Sequence, residues 1–115
     1  MASVSIRPND LWQMSYPKFI LTNTDRLRLG RVNLHKELLL PGEYCLGGGF
    51  YEFDYVGGRL LLSGKSYDFG RPKWHCCDEL HVPKVYEGLR IMYSSDGDSD
   101  GAVDLADEMK IIYED

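Results

Sequence analysis

Two glycine-rich segments hold the residues of this sequence best suited to handling an anion. Cys45-Leu46-Gly47-Gly48-Gly49 precedes a hydrophobic stretch, and Gly64-Lys65-Ser66-Tyr67-Asp68-Phe69-Gly70 follows one. Consecutive glycines permit positive φ and let a second backbone or a ligand approach closely. Between the two segments, Phe50 to Tyr55 and Arg59 to Ser63 flank Val56-Gly57-Gly58, which is hairpin chemistry. A hairpin brings both segments to the same end of a sheet. Backbone N–H groups exposed there, with the Ser66 hydroxyl, would form an anion-binding nest lined by Gly48 and the 64–70 loop. The competing use is structural, with the same glycines making tight turns or a bulge.

Taken together, these residues resemble the Janus/phosphohistidine phosphatase family. That family has Cys-Leu-Gly-Gly-Gly before a hairpin and then a Gly-x-Ser-x-x-aromatic-Gly loop. Here these are Cys45 to Gly49, then Gly64, Ser66, Phe69 and Gly70, with no gap in the spacing between them. The resemblance is strong over 45–70 and weaker from Lys18 to about Tyr93. It implies a phosphatase acting on phosphohistidine or a phosphoramidate, with a phosphorylated protein or small phosphorylated ligand as its partner and no cofactor. It implies a catalytic histidine before the glycine run, for which His35 is the candidate. It also implies a phosphate-binding lysine on the first strand, matched by Lys18, and phosphate contacts from Ser66, Tyr67, Asp68 and Gly48. An imidazole can serve as general base or nucleophile, and an amine with backbone N–H groups can stabilise a transferring phosphoryl group. Asp68 stands where the family commonly has a small residue, and a carboxylate beside a phosphate is repulsive. This motivates an alternative, a non-catalytic module binding an anionic ligand or a protein on the same scaffold.

Two other constellations have ligand-like spacing. Cys77 and His81 would share a helix face in His75-Cys76-Cys77-Asp78…His81, but no second pair completes a closed site. Asp96, Asp98 and Asp100 alternate before Gly101 as in a calcium loop. Its closing position holds Asp107 in place of Glu, and Leu89 to Tyr93 reads as a strand where a helix is required. A solvated turn is the simpler reading. No P-loop, dinucleotide fingerprint or Ser-His-Asp order is present.

The chain has 115 residues, room for one core and one domain. Its hydrophobic content of 43% is that of a globular chain. The net charge of −5 argues against nucleic acid as the main partner. A local basic strip, Arg26, Arg28, Arg31 and Lys36, reads as a solvated strand face or an anion-facing surface. No apolar run suffices for a membrane span. Three cysteines, two of them adjacent, with no signal-peptide core, suggest a reducing, cytoplasmic setting.

The elements that must position these residues are mostly strands. Lys18–Thr22, Arg26–His35, Phe50–Tyr55, Arg59–Ser63, Leu89–Tyr93 and Glu108–Tyr113 have strand chemistry. Residues 36–40 extend a strand or make one helical turn. Lys73 to Leu80 is read as the start of a helix limited by Pro83. The expected fold is α+β: a mainly antiparallel central sheet with one or two short helices. Its expected core includes Ile20, Leu46, Phe53, Leu60, Leu62, Leu89, Ile91 and Ile111. If the 64–70 loop holds an anion, Ser66→Ala should weaken phosphate binding by about 1–2 kcal/mol, the worth of one charge-assisted hydrogen bond. Asp68→Asn should tighten binding by removing a like charge. Phosphate titration of the three proteins checks both, and no response in any of them would leave the glycines as turn makers.

Overall fold

The hairpin expected at 50–63 is present, but its first strand begins at Cys45 and absorbs the whole glycine run. The computed structural model describes residues 16–64, 72, 74 and 77–115. Among them are eight strands: β1 (Tyr16–Thr22), β2 (Leu27–Val32), β3 (Cys45–Asp54), β4 (Arg59–Ser63), β5 (Glu79–Pro83), β6 (Arg90–Ser94), β7 (Val103–Asp104) and β8 (Lys110–Glu114). A six-stranded sheet runs in the order β2-β1-β3-β4-β6-β7, and β5 and β8 form a second, two-stranded sheet. The first sheet is antiparallel except for the parallel pair β4–β6. The helices among the described residues are short 3-10 turns. The domain is of the α+β class.

Glycine is depleted in strands because it is entropically costly and packs nothing. Here β3 needs it. Gly47 opposes Leu21 while Cys45 opposes Thr22, so the strand bulges between them, and Gly47 takes φ 143°. At Gly49 a β-carbon would stand 1.8 Å from the carbonyl oxygen of Ser63 on β4. No side chain fits there without separating β3 from β4.

Alternation along the strands gives the large sheet two different faces. On one, Phe19, Leu21, Leu27, Leu60, Leu62, Ile91 and Tyr93 pack with Leu80 and Val82 of β5, and with Leu105 and Met109. Each fully buried side chain of this size contributes about 1.5–3 kcal/mol. Trp74 lies in this layer, with its ring stacked on Phe19 and edge-on to Tyr93. Of the expected core residues, Leu60, Leu62 and Ile91 are fully within it, and Leu46, Phe53, Leu89 and Ile111 pack partly buried against it. Ile20 is buried too, but alternation turns it to the opposite face.

Two features depart from the sequence reading. Glu79 and Leu80 belong to a strand where a helix was expected. The last strand, β8, pairs in parallel with β5 and does not join the main sheet. The second sheet is tied to the segment just before β2 by polar contacts. His81 N–H donates to Asp25 O at 2.8 Å. Glu114 accepts from Arg26 Nε at 2.8 Å and lies 3.1 Å from His81 Nδ1.

The close approach at Gly49 predicts that Gly49→Ala costs about 2 kcal/mol or more, the range for overpacking against backbone. Gly101 is exposed, and a β-carbon added there meets nothing within 4 Å. Gly101→Ala should therefore stay within about 0.5 kcal/mol of wild type. Urea midpoints of the two variants check the contrast.

Candidate functional site

The face of the large sheet away from the apolar core carries the residues of chemical interest. In register across β1, β3, β4 and β6 it presents Lys18, Ile20, Gly48, Phe50, Glu52, Leu61, Ser63 and Ser94. The 3-10 turn His35–Leu38 lies over one half of this face, against β1 and β2. It is held by its own sequence: the Glu37 carboxylate folds back to accept the Leu34 N–H at 2.8 Å.

That turn brings His35 onto the glycine run. The ring is 0% exposed, and its Nε2 lies 2.9 Å from the carbonyl oxygen of Gly49. A carbonyl can only accept, so Nε2 carries the hydrogen, and in the neutral ring Nδ1 is the nitrogen with the lone pair. A β-carbon on Gly48 would come within 3.0 Å of His35 Cδ2 and 2.7 Å of Phe19 O. Gly48 is thus the floor on which the imidazole rests. Phe50, the next residue on the same face, has its ring centre 6.0 Å from that of His35.

Lys18 stands on the same face, beside Phe50 in register, and is also 0% exposed. Its Nζ donates to the carbonyls of Val32, at 3.1 Å, and Asn33. Burying an amine is costly unless its donors find acceptors, and the end of β2 supplies them. The structure therefore brings three of the residues singled out from sequence, Lys18, His35 and Gly48, to one side of one sheet. Ser66, Tyr67 and Asp68 lie outside the described residues, as do His75 and Cys76 of the metal-like cluster.

Beyond Phe50 the face is open. A bowl of about 720 Å³ is lined by Tyr16, Phe50, Glu52, Leu61 and Ser63, with Gly97 at its rim. Its size suits a ligand site. The Tyr16 ring meets Phe50 edge-on at 5.2 Å between centres. At the hairpin end Asp54 is clasped by Arg59, at 2.7 Å to Nη2 and 3.1 Å to Nε. The Gly57 N–H, donated to Asp54 Oδ1, and with it the Arg59 bonds hold the Asp54 carboxyl below the usual carboxylate range. Sequence reading put its weight on the glycines and missed this bowl. The signal was partial: the period of two in Phe50-x-Glu52-x-Asp54 places these three side chains on one face of a strand, but the residues opposite them on β4 are set by the register.

The acidic segment after β6 is a turn. Asp96 Oδ1 accepts from Ser94 Oγ at 2.8 Å and from Asp98 N–H at 2.9 Å, and Asp98 Oδ1 accepts from Asp100 N–H at 3.0 Å. Among the described residues no group of three or more His, Cys, Asp or Glu side chains is placed to hold a metal ion. No helix among them is long and apolar enough to cross a membrane. Comparison with protein-family models, with curated proteins and with solved structures finds no match for this chain.

Cys77 is buried, with its Sγ 2.9 Å from Glu79 O. Burial, helped by the neighbouring charge of Asp25, pushes its thiol up to about 11. The thiolate is the reactive form, so Cys77 should resist iodoacetamide at pH 8 in the native protein and react once urea unfolds the chain. Peptide mapping by mass spectrometry reads this directly. The raised value also carries a sign for stability. The protonated thiol is favoured by folding, so its contribution is complete below about 9 and is lost as pH rises through about 11.

Proposed function

We propose that this chain is a phosphohistidine or phosphoramidate phosphatase-like protein acting on a phosphorylated substrate. The observation that carries the reading is the setting of His35. Its ring is seated on Gly48 and bonded to Gly49 O, so the tautomer is set with the lone pair on Nδ1. Fixing one imidazole nitrogen through a backbone carbonyl is how a protein prepares the other as base or nucleophile. Lys18 shares the same face and is the cation to set against a phosphoryl group. The Cys45–Gly49 and Gly64–Gly70 segments, which resemble the Janus/phosphohistidine phosphatase family, support the same reading. In the reaction the substrate P–N bond breaks and its leaving nitrogen takes a proton, while the phosphoryl group passes either directly to water, forming a P–O bond, or first to His35, forming a P–N bond that water then hydrolyses. Setting and transfer are local to this chain's side chains, and no cofactor is invoked.

A second reading rests on a different observation. Lys18 and His35 are both fully buried, and both bond to backbone carbonyls, which are structural duties. On this reading the scaffold binds an anion or a protein and catalyses nothing.

The test is hydrolysis of a phosphohistidine peptide by wild type, His35→Ala and Lys18→Met, with circular dichroism confirming that each variant is folded. Loss of a general base or nucleophile typically costs on the order of 10²-fold or more in rate. A folded His35→Ala that turns over normally removes His35 from the mechanism. A wild-type protein that binds inorganic phosphate yet releases none from the peptide supports the binding module instead.

A further inference from the structure

We infer that the open bowl beside His35 receives a polypeptide carrying a basic side chain, so that the substrate is a phosphorylated protein segment and not a small phosphoramidate. The placing of the phosphoryl group rests on the function proposed above; the charge of the partner does not. Phe50 is the hinge of the argument. One side of it meets the buried His35 ring and the other lines the bowl, so a single side chain stands between the ring and the open space. Moving along β3 on this face from Gly48, the side chains are Phe50, then Glu52, then Asp54. Four residues of strand separate Gly48 from Glu52, roughly 13 Å at about 3.3 Å per residue. A small phosphoramidate held at His35 reaches no farther along it than Phe50. An extended peptide laid along the strand covers all of it.

The charges then choose the peptide. Two carboxylates line the bowl, Glu52 and Asp54. Asp54 is neutralised by Arg59, and Arg90 stands in register with Arg59 at that same end. Glu52 is exposed, has no ion-pair partner among the described residues, and faces Leu61 across the pair β3–β4. It is a carboxylate on an apolar floor between Phe50 and Leu61. Next to Gly97, which lines the bowl, the exposed Asp98 adds to the negative field. A lysine or arginine about four residues from the phosphorylated position would meet Glu52, with its aliphatic stem along Phe50 and Leu61. The net charge of −5 favours the same class of partner at longer range.

The experiment uses two extended peptides that differ at one position, a lysine or a glutamate four residues from a histidine. Unphosphorylated forms are titrated by fluorescence anisotropy against wild type and Glu52→Lys. Wild type should bind the lysine peptide about tenfold more tightly than the glutamate peptide, and Glu52→Lys should reverse the order, as expected when one exposed charge is reversed opposite another. The preference should shrink in 0.5 M salt, since exposed pairs are screened. Equal affinity of wild type for the two peptides, or an unchanged order in Glu52→Lys, overturns the inference. The phosphorylated peptides are then compared in turnover, where the ratio of kcat/KM values should follow the same reversal. If wild type hydrolyses neither, the proposed catalysis fails while the titration still decides the docking.

Discussion

Everything near the candidate site depends on two missing side chains in the middle of a strand. At Gly49 the Ser63 carbonyl occupies the volume a β-carbon would need, so β3 and β4 pair only because nothing projects there. At Gly48 the volume belongs to the edge of the His35 ring and to Phe19 O of β1. A single methyl at either position would displace a backbone or expel the imidazole. Packed interiors yield little to such changes. The glycines therefore have a definite use, a close approach of strand, strand and ring, and the bulge at Gly47 belongs to the same arrangement.

That arrangement explains which parts of the fold were readable in the sequence. The hairpin was legible because Phe50–Asp54 and Arg59–Ser63, rich in aromatic and aliphatic residues, flank a Gly-Gly turn, a purely local signal. β1, β2 and β6 were legible for the same reason. The start of β3 was not, since glycines argue against strand on propensity and only a tertiary contact reverses the argument. The strand Glu79–Pro83 was hidden in a similar way. Its five residues follow a polar, cysteine-containing stretch that suggests a helix, and its pairing partner β8 lies about thirty residues further on. Parallel pairing leaves no turn signature, so neither β4–β6 nor β5–β8 could be read locally.

The candidate site was legible in part. Lys18, His35 and Gly48 were picked out by type and by resemblance, and they do share one side of the sheet. Their depth was not foreseeable. His35 opens the polar run His35-Lys36-Glu37, which by composition reads as surface, yet the 3-10 turn rotates its ring fully out of solvent. Lys18 reads as a side chain that would snorkel to water, but the chain end of β2 offers its amine two carbonyls before it could emerge. The bowl was missed because it has no motif. It is a property of register, in which Glu52 opposes Leu61 and Phe50 opposes Ser63, and register is settled by pairing.

The two faces of the sheet divide the physical work between them. An unsatisfied buried polar group costs about 1–3 kcal/mol, and even satisfied ones contribute little net stability, so a face holding a buried lysine and a buried histidine cannot hold the domain together. The opposite face does so. It packs Phe19, Leu21, Leu60, Leu62 and Ile91 against Leu80, Val82 and Leu105, with apolar side chains on both sides. Because the strands are shared, each residue of β1 that anchors the core is preceded by one that serves the other face: Phe19 follows Lys18, and Leu21 follows Ile20. The rigidity of the core is thereby passed, through the backbone of β1 and β3, to the imidazole resting on Gly48. A ring fixed in this way keeps its tautomer and its direction without help from a ligand. The open half of the face needs no such support, because its floor is the hairpin itself, and Phe50 is the residue through which the fixed half and the open half touch.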